Sequence, residues 1–188
     1  VDRIQPDVST GATWVALCHW FDAFKGWRED QAASLEEAEA WSGKAVAMND
    51  PDGQAHMVLS HVHLMKRRFD EALIVGREAV RLRPNCTNAN GFFANVLHFC
   101  GEQRDAIDHV SWAIRYSPVY PPFFADILAL ALLFDGSPET AIPIARQALR
   151  LNPNSQIARL VMIAANWESG EFTEARQNAK RLVEADPD

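Results

Sequence analysis

One seven-residue phrase occurs four times in the chain, as RRFDEAL from Arg67, GEQRDAI from Gly101, GSPETAI from Gly136 and GEFTEAR from Gly170. The starts lie 34, 35 and 34 residues apart. A fixed period of that size is far longer than a heptad. It specifies a stacked array of like units, each unable to bury its apolar face alone. At 188 residues the chain has room for about five of them.

The columns inside the period say what each unit is. Ala72, Ala106, Ala141 and Ala175 align, and seven residues later stand Ala79, Ala113, Ala148 and, breaking the pattern, Leu182. Seven residues are two helical turns, so both small residues of a pair share one face. Small side chains at a crossing let two antiparallel helices approach to about 8 Å, which predicts a helical hairpin. Gly101, Gly136 and Gly170 stand where the first helix stops and the chain reverses. That position favours a left-handed residue without a Cβ. Asp70, Glu71, Asp105, Glu139 and Glu174 open the second helix at its positive end. Pro84, Pro118, Pro153 and Pro187, each twelve residues after the first alanine column, close it.

This succession, in RRFDEALIVGREAVRLRPN, ETAIPIARQALRLNPNS and GEFTEARQNAKRLVEADPD, resembles the tetratricopeptide repeat. The resemblance implies an all-α fold, a right-handed superhelix of stacked antiparallel helix hairpins, forming a single array over residues 1–188. Its clear repeats are 53–86, 87–121, 122–155 and 156–188. A degenerate repeat over 12–52 precedes them, with its first helix over residues 12–26 and SLEEAEAWSGKAVAMNDP as its second. The proline-aromatic linker RYSPVYPPFF is similar to one in the repeat region of bacterial class III adenylate/guanylate cyclase-like proteins, and such regions also follow winged-helix regulators. That narrower likeness implies a signalling parent whose active domain lies upstream, and the chain's start at Val1 reads as a cut from a longer protein.

Composition narrows the function classes. A net charge of −7 opposes a general nucleic-acid surface. Only residues 53–83 are locally basic, through Lys66, Arg67, Arg68, Arg77, Arg81 and Arg83, and a solvated helix face explains them more simply than an anion site. Cys18, Cys86 and Cys100 are an odd set without zinc-site spacing, read as free thiols of a cytoplasmic protein. The run TWVALCHWFDAF is interrupted by His19 and Asp22 and falls short of the roughly 20 residues that span a bilayer, so no membrane association is expected.

Candidate chemistry is sparse. His56 and His63 are seven residues apart, as metal ligands on one helix could be, but His61 points elsewhere, and packed histidines are the expectation. Pairings such as Cys100 with His98 or Ser60 with His56 lack the sharp turn and third group of a nucleophilic site. No catalytic residue, metal or cofactor is expected. By the family resemblance, the first helix of each unit lines a concave groove. Its peptide-binding residues would be Met57, His61, Leu64, Asn88, Asn95, His98, Phe99, Phe123, Asp126, Leu130, Leu133, Ile157, Leu160 and Trp167. The set is apolar and aromatic, and it lacks the basic residues with which some family members hold a C-terminal carboxylate. It suits an amphipathic helix or apolar segment. The expected partner is a protein, a peptide or another part of the same chain. A weak homodimer is a further expectation, because the end at Asp186, Pro187 and Asp188 has no capping helix after it.

Overall fold

The computed structural model describes residues 9–48 and 50–185. Among the described residues there are ten α-helices and no strand. They are α1 Ser9–Lys25, α2 Gln31–Ala47, α3 Gln54–Met65, α4 Phe69–Leu82, α5 Thr87–Phe99, α6 Gln103–Tyr116, α7 Phe123–Phe134, α8 Pro138–Leu151, α9 Gln156–Glu168 and α10 Phe172–Ala185. The all-helical expectation is met. The chain forms two compact units, residues 1–100 and 101–188, and the division falls between the two helices of the 87–121 repeat.

In the first unit α1 packs on α2 and α3 on α4, while α3 also meets α1 and α5. Hairpins thus stack through contacts between first helices and through the second helix of one on the first of the next, α2 on α3 and α4 on α5. The core joins Ala16, Trp20 and Ala38 to Val58 and Val62, with Ala12, Ala45 and Ala55 in a second cluster. Ala38 and Ala45 are fully buried, which extends the alanine spacing into the degenerate repeat. Gly76 marks a close approach of α4 to α3 and α5. A Cβ there would stand 2.5 Å from Phe93 Cδ2 and 2.9 Å from Ser60 Oγ.

The second unit repeats the scheme, with α7 on α8, α9 on α10, and α7 on α9. Ala129, Ala141, Ala145, Val161, Met162 and Ala165 form one core cluster, and Ala125, Ala148 and Ala158 another. All seven column alanines are buried to 2 % exposure or less, whereas Leu182 is half-buried.

The termini of the helices follow the expected punctuation. Gly101, Gly136 and Gly170 take left-handed backbones at φ 87°, 78° and 79°, and Arg67 adopts the same conformation at φ 59° in the one copy without glycine. Helices α4, α6 and α8 end two residues before Pro84, Pro118 and Pro153. Pro187 and its flanking aspartates lie outside the described residues. The first hairpin differs most from expectation. Its first helix starts at Ser9 rather than residue 12, and its second starts at Gln31, ahead of the SLEEAEA stretch. The cause of the second difference is Asp30, whose carboxylate accepts the Ala33 N–H at 2.9 Å and caps the helix there.

Candidate interaction surfaces

The first helices of the first unit carry a chain of aromatic contacts. Trp20 stacks on Phe24 at 5.1 Å and meets the edge of His61 at 5.6 Å, and His61 in turn meets Phe92 at 5.2 Å. His61 is 5 % exposed. Its Nδ1 lies 3.0 Å from the Met57 carbonyl, and a carbonyl only accepts, so Nδ1 carries the proton. Burial lowers the His61 pKa from 6.5 to about 4, against the smaller upward pull of that bond, and the ring is neutral. Of the other expected groove residues here, Met57, Leu64 and Asn95 are half-buried, Asn88 is exposed, and His98 is buried beside an exposed Phe99 at 5.0 Å.

Four of the six bases of the basic segment have described acidic partners. Glu39 on α2 bonds Lys66 and Arg68 together, Glu36 adds a contact to Lys66 at 2.6 Å, and His63 Nδ1 lies 3.8 Å from Glu39. Burial alone would raise the Glu39 pKa, but the bonds from Lys66 and Arg68 bring it below the ordinary value. Arg81 pairs with Glu78 at 2.6 Å, and Arg83 lies 3.9 Å from Asp52. The Glu39 hub joins α2 to the turn after α3, and with the Lys66 side chain only 13 % exposed this part of the segment is an ion-pair cluster between elements rather than a solvated face.

His56 and Ser60 have structural bonds. Asp50 accepts from the His56 backbone N–H at 3.1 Å, and its Oδ2 lies 2.8 Å from His56 Nδ1. Burial pushes Asp50 up, yet the His56 and Ala55 donors hold it below the usual carboxylate range. Ser60 donates to the Ala72 carbonyl at 2.8 Å, tying α3 to α4, so the imagined Ser60–His56 pair does not form. No group of three potential metal ligands occurs among the described residues.

In the second unit, α9 presents Ile157, Leu160 and Trp167 at 42 %, 52 % and 57 % exposure. Their offsets of three and seven place them on one helical stripe. Trp167 is braced edge-on by Phe172 at 4.8 Å. On α7, Phe123, Leu130 and Leu133 are half-buried, the two leucines leaning on the α7–α9 core. Asp126, expected as an open groove residue, is 6 % exposed. Its Oδ1 accepts from Ser155 Oγ at 2.7 Å, and Ser155 in turn accepts the Ala158 N–H at 3.1 Å as the N-cap of α9. Burial raises the Asp126 pKa, partly opposed by the Ser155 bond.

Sequence reasoning did not single out Phe92, Glu39 or the Asp126–Ser155 bond. Ser155 follows Asn-Pro-Asn, and its partner Asp126 lies 29 residues earlier, beyond any local pattern. Among the described residues no helix is long and apolar enough to cross a membrane.

Two sequence profiles, both described as tetratricopeptide repeat, match residues 25–85 and 132–188, together more than half of the chain. The chain belongs to the tetratricopeptide repeat family. Among solved structures it is similar to PilF of Pseudomonas aeruginosa, at a TM-score of 0.73 and 19 % identity over 93 % of this chain and 78 % of the other. It is also similar to MamA of Desulfovibrio magneticus RS-1, at 0.70 and 17 % over 92 % and 95 %. YrrB, described as a repeat protein with an unusual peptide-binding site, superposes at 0.65 and 16 % over 84 % and 80 %. At these identities the likeness shows the fold alone. No curated protein sequence matches the chain. Neither the profiles nor these structures link it to a cyclase or a winged-helix regulator.

Proposed function

We propose that this tetratricopeptide repeat chain is a non-catalytic interaction module that binds a peptide or helix on the apolar faces of its first helices. The observation that carries the reading is the exposed stripe of Ile157, Leu160 and Trp167 on α9. A row of large apolar side chains on one face, held by a packed scaffold, is how an amphipathic segment is read. YrrB offers a precedent in the same fold for a peptide ligand. In the first unit Met57, Leu64 and Phe99 offer similar contacts, while His61 acts as packing between Trp20 and Phe92.

Peptide display against the immobilised chain, followed by titration of the recovered peptides, tests this. Ligands with apolar stripes are expected, weakened about tenfold or more by Leu160→Asp and by Trp167→Ala, since an aromatic anchor commonly contributes over 1 kcal/mol. Both positions are exposed, so the fold is expected to be retained, as circular dichroism of each variant checks. Ligands whose affinity neither substitution changes would overturn the reading.

A further inference from the structure

Asp126 is a carboxylate set into an apolar face. One helical turn to either side on α7 stand Phe123 and Leu130, and the helix that Ser155 caps carries Ile157 and Leu160. A buried carboxylate is costly unless paired, because the interior solvates charge poorly. The one hydrogen bond described on Asp126 is from Ser155, to Oδ1. Because the Ser155 oxygen already accepts the Ala158 N–H, its proton is directed to the carboxylate. Oδ2 is left without a described donor. The residue keeps 6 % of its surface, far from full hydration.

From this arrangement we infer that the α7–α9 face takes a peptide segment carrying one basic side chain among apolar ones, with the Asp126 carboxylate as its counter-charge. The inference rests on the peptide-binding reading above and adds the chemistry of the ligand. An ammonium or guanidinium supplies the donors that Oδ2 lacks, while its aliphatic stem lies along Phe123, Leu130 and Leu160. A carboxylate-bearing ligand would meet an unpaired like charge at the same spot, so the face discriminates by repulsion as well as attraction. The chain's net charge of −7 favours the same class of ligand at long range.

The test uses synthetic amphipathic helical peptides of about 15 residues, roughly four turns, with a Leu/Phe stripe and one central position filled by Lys, Gln or Glu. Binding to the whole chain is read by fluorescence anisotropy, with sedimentation velocity on the same samples. The expected result is that the Lys peptide binds at least about tenfold more tightly than the Gln peptide and the Glu peptide is weakest. In Asp126→Asn the Lys/Gln ratio should fall to about 1. Peptides that bind, and respond to Leu160→Asp, but show equal Lys and Gln affinities to the unaltered chain would overturn the role of Asp126 and leave the interaction reading standing. Failure of every peptide, or a dimer that occupies the face and excludes them, would overturn both. The Lys, Gln and Glu comparison on the unaltered chain decides the matter even where Asp126→Asn folds poorly.

Discussion

At the residue scale, Arg67 and His61 each carry a local cost that the surrounding fold sustains. Arg67 occupies the left-handed turn position that glycine fills in three other hairpins. An L-residue with a Cβ is disfavoured there by about 1 kcal/mol, partly returned by the greater freedom of an unfolded glycine. Arg67→Gly is therefore expected to stabilise the chain by about 0.5–1 kcal/mol, visible as a higher urea midpoint at constant slope. An unchanged or lower midpoint would show that the arginine has a compensating contact.

His61 makes stability depend on pH with a definite sign. Its folded pKa of about 4 lies below the ordinary 6.5, so between those values the unfolded chain binds more protons. Stability from this group is fully present above about pH 6.5 and is lost as pH falls toward 4, on the order of 3 kcal/mol in all. Glu39 and Asp50, whose pKa values are depressed, lose their contributions at lower pH, in the carboxylate range. His61→Phe keeps an aromatic ring between Trp20 and Phe92 and should flatten the slope of stability between pH 6.5 and 4. Equal slopes in both proteins would mean that the ring is hydrated and protonates freely.

At the scale of the element, hairpins with the full phrase were legible because period, small-residue columns, reversal glycines and terminal prolines all report one geometry. Ala106 and Ala141 are both fully buried, as their column implies. Replacing either with Leu should cost roughly 1–3 kcal/mol, since the added methylenes enter a close helix crossing. Coincident melting curves for the variants and the parent would contradict this. The first hairpin was less legible, because it lacks the phrase and its cap, Asp30, sits in a longer loop. The interaction surface was read only in part. Helical register places Ile157, Leu160 and Trp167 on one face, but whether a first-helix residue is open or covered depends on its neighbouring hairpin. Asp126 is covered because Ser155, the N-cap of α9, arrives from 29 residues further on, and His61 because Trp20 and Phe92 close on it from both sides.

At the scale of the whole molecule, stability in a repeat chain is approximately a sum of unit and nearest-neighbour terms, so a defect need not spread. Two of the described core clusters fall one in each unit: Ala16, Trp20, Ala38, Val58 and Val62 belong to residues 1–100, while Ala129, Ala141, Ala145, Val161 and Met162 belong to residues 101–188. Overpacking at Ala141 removes favourable contacts from the second set and leaves the first unchanged. Hydrogen exchange of Ala141→Leu is therefore expected to show faster amide exchange throughout α7, α8 and α9, with protection of α1 to α4 close to that of the parent chain. The two sets then open as separate cooperative units, and a single melting temperature would be a poor summary of the chain. Equal loss of protection in α1 to α4 and in α7 to α9 would show instead that the array unfolds as one body, with the coupling between units stronger than the local packing within them.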